Sequence, residues 1–113
     1  MKIWIDDVRP APECYVICHS VNEAIKQIKI AEREKEFAKD QGLPNRVKYW
    51  TIEVIDTDHD AGEYVDDGGD YIKLLDWLEE TDRNYPIRIH SMNTVGIENM
   101  RRIIQRNGWT EIK

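Results

Sequence analysis

The stretch IRIHSMNTVGIENMRRIIQRNG, residues 87–108, changes its hydrophobic period within a few residues. Ile87 to His90 is short, apolar and β-branched, as a buried strand requires, and Val95, Ile97, Met100, Ile103 and Ile104 then recur at helical spacing. Thr94 is placed to cap that helix, and Asn107 with Gly108 supplies a left-handed stop. A strand feeding directly into a helix is the repeating unit of an α/β fold.

The same alternation extends in both directions. Trp109 to Ile112 reads as a final short strand, Asp70 to Glu80 as a helix, and about Tyr49 to Thr57 as a strand. Lys2 to Ile5 is an apolar run ending in Asp6 and Asp7, and Pro10 and Pro12 forbid a helix after it. Cys14 to Cys18 predicts a second strand, and Ser20 with Glu23 forms a capping box that opens a helix over Ala24, Ile25, Ile28 and Ala31. Gly42 and Pro44 stop that helix near Gln41, and the charged run Glu32 to Asp40 predicts a far end facing solvent. The expected architecture is one α/β domain over residues 1–113: a mostly parallel, five-stranded sheet covered by helices on both faces.

Composition excludes several classes. A net charge of −6 disfavours duplex nucleic acid, whose binders carry basic stripes, while leaving room for a small anion held through a metal. No apolar run approaches a membrane span and none resembles a secretory signal, so the expectation is a cytoplasmic protein. Cys14 and Cys18 on one extended segment would lie about 13 Å apart, too far for a mutual disulfide, and are expected to be buried, reduced thiols.

Open α/β sheets bind ligands outside the carboxyl ends of their strands. Three predicted strands end there in reactive side chains: Asp6 and Asp7, then Asp58, His59 and Asp60, then His90 and Ser91. Any one of these is an ordinary cap or loop residue, but three clusters at one edge point to a site. Crowded carboxylates must take up protons, recruit a basic residue or bind a cation. Magnesium binds through one or two carboxylates and keeps positions for phosphate oxygens, with Asp7 and Asp58 as the preferred direct ligands and Asp6 beside them. The two histidines leave manganese, iron or zinc open. Arg9 has two candidate roles, clamping phosphate oxygens or neutralising Asp6 or Asp7. The helix start at Thr94 offers free amides near Val95 and Gly96 with the Asn93 side chain alongside, an anion-binding end or an ordinary cap. His19, just before the Ser20 cap, is expected to be structural or peripheral.

An acidic pair after the first strand, an aspartate after the third and Ser91 after the fourth resemble response-regulator receiver domains, which have a flavodoxin-like, three-layer fold. More specifically, Asp6-Asp7-Val8-Arg9-Pro10, Asp58-His59-Asp60-Ala61-Gly62 and His90-Ser91-Met92-Asn93-Thr94-Val95-Gly96 are similar to the DDxRP, DHDLG and HSxNxxG motifs of the cyclic-phosphate-processing receiver-like family. Ala61 stands where leucine is usual and Thr94 where proline is common. A true receiver's lysine after the fifth strand is missing, since Lys113 is merely the last residue.

The resemblance implies a metal-dependent phosphoesterase for a cyclic nucleotide or an RNA 2′,3′-cyclic phosphate end. A magnesium or manganese ion would be held by Asp6, Asp7 and Asp58. His59, His90 and Asp60 would be catalytic, the two histidines exchanging protons in an order left open. Arg9, Ser91, Asn93 and Gly96 would bind phosphate. Two other classes use the same residues: a module that binds a cyclic nucleotide without hydrolysing it, and a signalling domain phosphorylated at Asp58 or Asp60.

Overall fold

The computed structural model describes residues 1–113. Four parallel strands form one sheet in the order β2-β1-β3-β4: β1 (Lys2–Ile5), β2 (Tyr15–Cys18), β3 (Val54–Thr57) and β4 (Ile87–Ile89). The helices are α1 (Val21–Asp40), α2 (Pro44–Trp50), α3 (Ile72–Glu80) and α4 (Thr94–Asn107), with a 3₁₀ turn at Gly62–Tyr64. No helix is long and apolar enough to cross a membrane.

Strand alternation assigns the two faces. Ile3, Ile5, Ile55 and Ile87 point to one side and share a single core cluster with Val21, Ala24 and Ile28 of α1, Leu74, Leu75 and Leu78 of α3, and Met100, Ile103 and Ile104 of α4. The opposite face carries Trp4, Tyr15, Ile17, Val54, Asp56 and Arg88. It is crossed by the helix-free 6–14 connection, whose Arg9 carbonyl accepts from the Trp4 indole N–H at 3.1 Å. The right-handed rule gives the reason. The step from β1 to β2 and the step back across β1 to β3 run in opposite directions, so their connections lie on opposite faces. The proline-bearing 6–14 segment cannot be a helix, so this face has a loop for its cover rather than the expected helical layer.

Other expectations are corrected at their ends. The strand predicted from Tyr49 shrinks to Val54–Thr57, because Pro44 does not merely stop α1: it occupies the first turn of α2, where its fixed φ and missing N–H are tolerated. That helix folds back along the charged end of α1, burying Ala38, so this end is not simply solvated. The fifth strand reduces to a single parallel bridge between Ile87 and Glu111. The Ile87 amide donates to the Thr110 carbonyl and the Ile112 amide to the Ile87 carbonyl, but the three-residue β4 offers no further ladder. Cys14 is exposed with φ 68°, outside the strand, whereas Cys18 is buried and its thiol is pushed up to about 12 by burial and then by Glu23; both are free.

The predicted caps are present with two departures: the Glu23 carboxylate accepts from the His19 amide rather than that of Ser20, and the cap of α4 moves by one residue. The Ser20 hydroxyl accepts from the Glu23 amide and Gly108 closes α4 in the left-handed region at φ 67°. Asn93, not Thr94, caps α4, its side-chain oxygen accepting from the Gly96 amide at 2.9 Å.

Candidate functional site

Parallel pairing puts the carboxyl ends of β1, β3 and β4 at one edge, and the three acidic residues expected as ligands meet there. One carboxylate oxygen each from Asp6, Asp7 and Asp58 lie within 4.8 Å of one another. Each is aimed by local chemistry. Asp6 is buried, and one of its oxygens accepts the Val8 and Arg9 amides at 2.9 and 2.8 Å, a tight turn that the following Pro10 helps to fix. Asp58 receives its own neighbour's amide, from His59 at 2.7 Å, while its backbone N–H donates to the Ile5 carbonyl.

Asp7 is packed against Gly62, which has φ +55° and where a Cβ would stand 2.2 Å from the Asp7 Oδ2; only glycine permits that approach. Burial, followed by the charges of Asp6 and Asp58, raises the Asp7 carboxyl above its ordinary range despite an opposing contact with its own amide. Repulsion between the crowded carboxylates thus adds to a shift that burial leads.

The oxygen set fits a hard divalent cation. Three ligands on an octahedral magnesium cannot all be opposite one another, and neighbouring ones stand about 3 Å apart, so the three side chains would have to draw closer together to share one ion. No cysteine or free imidazole nitrogen joins the cluster, so it favours magnesium or manganese over zinc.

The two histidines have different surroundings. His59 sits against the start of α4, its ring so close that a Cβ on Gly96 would be 2.5 Å from the ring Cγ. Its Nδ1 pairs with Asp60 at 2.9 Å, and the Asn93 side-chain nitrogen reaches both Asp60 oxygens at 3.3 Å; Nε2 has no partner. Asp60 therefore orients the ring through one nitrogen and leaves the other open.

His90 has neither nitrogen open. Its side chain is 7% exposed, its Nε2 faces Asp6 at 2.9 Å and its Nδ1 faces Asp56 at 2.7 Å. Its ring stacks on Trp4 at 3.8 Å and 6°. Each ring nitrogen lies within hydrogen-bond distance of one carboxylate, so the ring bridges Asp6 and Asp56. Asp56 continues outward to Arg88 at 3.1 Å and the Tyr15 hydroxyl at 3.2 Å. Burial alone would raise the Asp6 and Asp56 carboxyls, yet both are held below the ordinary range. The Arg9 and Val8 amides and His90 do this at Asp6, and His90 and Arg88 at Asp56.

Among the remaining expected residues, Arg9 is exposed and forms no ion pair, so it neutralises neither Asp6 nor Asp7. The Ser91 hydroxyl accepts from the Asn93 amide at 3.1 Å and shapes the turn into α4. The Gly96 amide is taken by the Asn93 cap and is not free for an anion. Asp56 lies outside the set that strand ends and motifs pick out, although a lone carboxylate inside the apolar Val54-Ile55-Asp56-Thr57 run is a signal that a buried partner must exist.

The fit at Gly96 yields a test. Glycine to alanine in a helix normally stabilises by about 1 kcal/mol. Here the added methyl must displace the His59 ring, so Gly96→Ala is expected to give no rise in melting temperature and to shift the His59 ring resonances. A more stable variant with unmoved His59 resonances would contradict the packing described.

Comparison with known proteins adds one finding: a family model described as the cyclic-phosphate processing receiver domain matches residues 1–106. No curated protein and no solved structure matches the chain.

Proposed function

The chain belongs to the cyclic-phosphate processing receiver domains, and on that premise we propose that it is a metal-dependent phosphoesterase that opens a cyclic phosphate of a nucleotide or an RNA end. The observation that supports this most is the meeting of Asp6, Asp7 and Asp58 beside a histidine with one free nitrogen. A divalent cation bound to those carboxylates would polarise the phosphate oxygens and lower the pKa of a coordinated water.

The chain's own residues have separable roles in this reading. Asp7 and Asp58 hold the cation, with Asp6 fixed behind them by two amides and His90. Arg9, unpaired and exposed, binds a phosphate oxygen, and the Asn93 amide steadies Asp60 at the rim. His59 is the proton-transfer residue, because Asp60 fixes its Nδ1 and its Nε2 has no hydrogen-bond partner. His90 positions Asp6 rather than exchanging protons with the ligand.

The test is a substrate panel. Pure protein with millimolar magnesium or manganese, or with chelator, is incubated with cyclic mononucleotides, cyclic oligonucleotides and RNA ending in a 2′,3′-cyclic phosphate, and the products are resolved by chromatography. The expected result is metal-dependent ring opening that His59→Ala lowers by about 10²–10⁴-fold. A ligand that binds and is recovered unchanged would convert the enzyme into a binding module. Labelling of Asp58 or Asp60 by acetyl phosphate, with no turnover, would point to phosphoacceptor signalling instead.

A further inference from the structure

On the β2 side of the acidic cluster, His19 and Tyr64 stack with ring centroids 5.1 Å apart and planes 13° from parallel. Both side chains are half-buried, so the pair keeps free surface. Its place relative to the carboxylates follows from the chain. Tyr64 closes the same 3₁₀ turn whose Gly62 lies against Asp7, and two residues span at most about 7 Å. The carbonyl of His19 accepts from the Tyr71 hydroxyl at 2.7 Å. Asp6 lies alongside as well: Ile5 pairs with Cys18 in the β1–β2 register and the Asp6 amide donates to the Cys18 carbonyl at 3.3 Å, so His19 is the next residue beyond that pairing.

The rings are not needed to hold the loop in place. Asp67 accepts from the Ser20 hydroxyl and from the Asn22 side chain at 3.0 Å, its carbonyl accepts the Asn22 amide at 3.2 Å, and the Tyr71 amide donates to the His59 carbonyl at 2.9 Å. The 61–70 segment is thus clasped at several points, and the stacked pair stands at the sheet edge that carries the acidic cluster.

We propose that the His19–Tyr64 pair is a nucleobase platform, so that the ligand of this site is a nucleoside cyclic phosphate rather than a cyclic phosphoester without a base. The proposal rests on the cyclic-phosphate reading of the acidic site given above. Flat rings accept any base by stacking, so the platform selects for the presence of a base and only weakly for its identity.

The test compares adenosine 2′,3′-cyclic phosphate with glycerol 1,2-cyclic phosphate, taking apparent affinities from ligand-dependent melting curves in magnesium. Wild type is expected to prefer the nucleoside by about tenfold or more. Tyr64→Leu and His19→Leu should bring that ratio towards one, and Tyr64→Phe, which keeps the ring, should retain it. A wild-type ratio near one, or a preference that survives both leucine variants, would overturn the platform while leaving cyclic-phosphate binding in place. Absence of any response to either compound would overturn both readings.

Discussion

Replacing His90 by alanine is expected to destabilise the fold by about 3–5 kcal/mol, because it leaves the buried Asp6 and Asp56 carboxylates without the ring that bridges them. The Trp4 ring also loses its stacking partner. Much of the loss comes from uncompensated buried charge, so the double variant His90→Ala, Asp56→Leu is expected to cost less than the sum of its two single changes. Urea denaturation of the four proteins measures this. A loss under 1 kcal/mol in His90→Ala would show that the three groups are not joined as described.

The same trio sets the acid limit of the fold. Asp6 and Asp56 have folded-state values below their unfolded ones, so their contribution is fully present above the unfolded carboxyl range near about 4. It is lost as pH falls through the depressed folded values. Wild type should therefore lose stability steeply below about pH 4, and Asp56→Asn should start lower and fall less steeply. Parallel pH profiles for the two proteins would remove Asp56 from this account.

The second large effect is the response to metal. Magnesium or manganese at a hundredfold excess over Kd should stabilise the folded chain by about 2.7 kcal/mol, a rise of about 10 °C in melting temperature for a domain of this size. In the metal-free protein Asp6, Asp7 and Asp58 repel one another. Asp58→Asn removes part of that repulsion and should melt at or above the wild-type temperature in chelator, yet it should lose most of the shift on adding metal. Melting both proteins in chelator and in millimolar cation at constant ionic strength separates the two signs. Equal shifts would reject Asp58 as a ligand, and no shift in wild type would reject the metal centre.

The sequence by itself determined which residues end the parallel strands, because the runs read at Lys2–Ile5, about Tyr49–Thr57 and Ile87–His90 each close at a charged or polar group, although the structure trims the last two to Val54–Thr57 and Ile87–Ile89. From that alone the convergence of Asp6, Asp7 and Asp58 was legible, as was the α/β alternation, since period and caps are local properties. What each side chain touches across strands was not local. Only the tertiary structure placed Trp4 level with Asp56 and turned His90 inward between two carboxylates, which made one histidine a buried bridge and left His59 the open one. It alone decided that Pro44 starts a helix, and that Trp109–Ile112 finds too short a neighbour in β4 to become a fifth strand. The physical reason is common to all of these. Periodicity reports which side of an element is buried, whereas partner, register and ladder length depend on residues 30 or more positions away, such as Asp56 and His90.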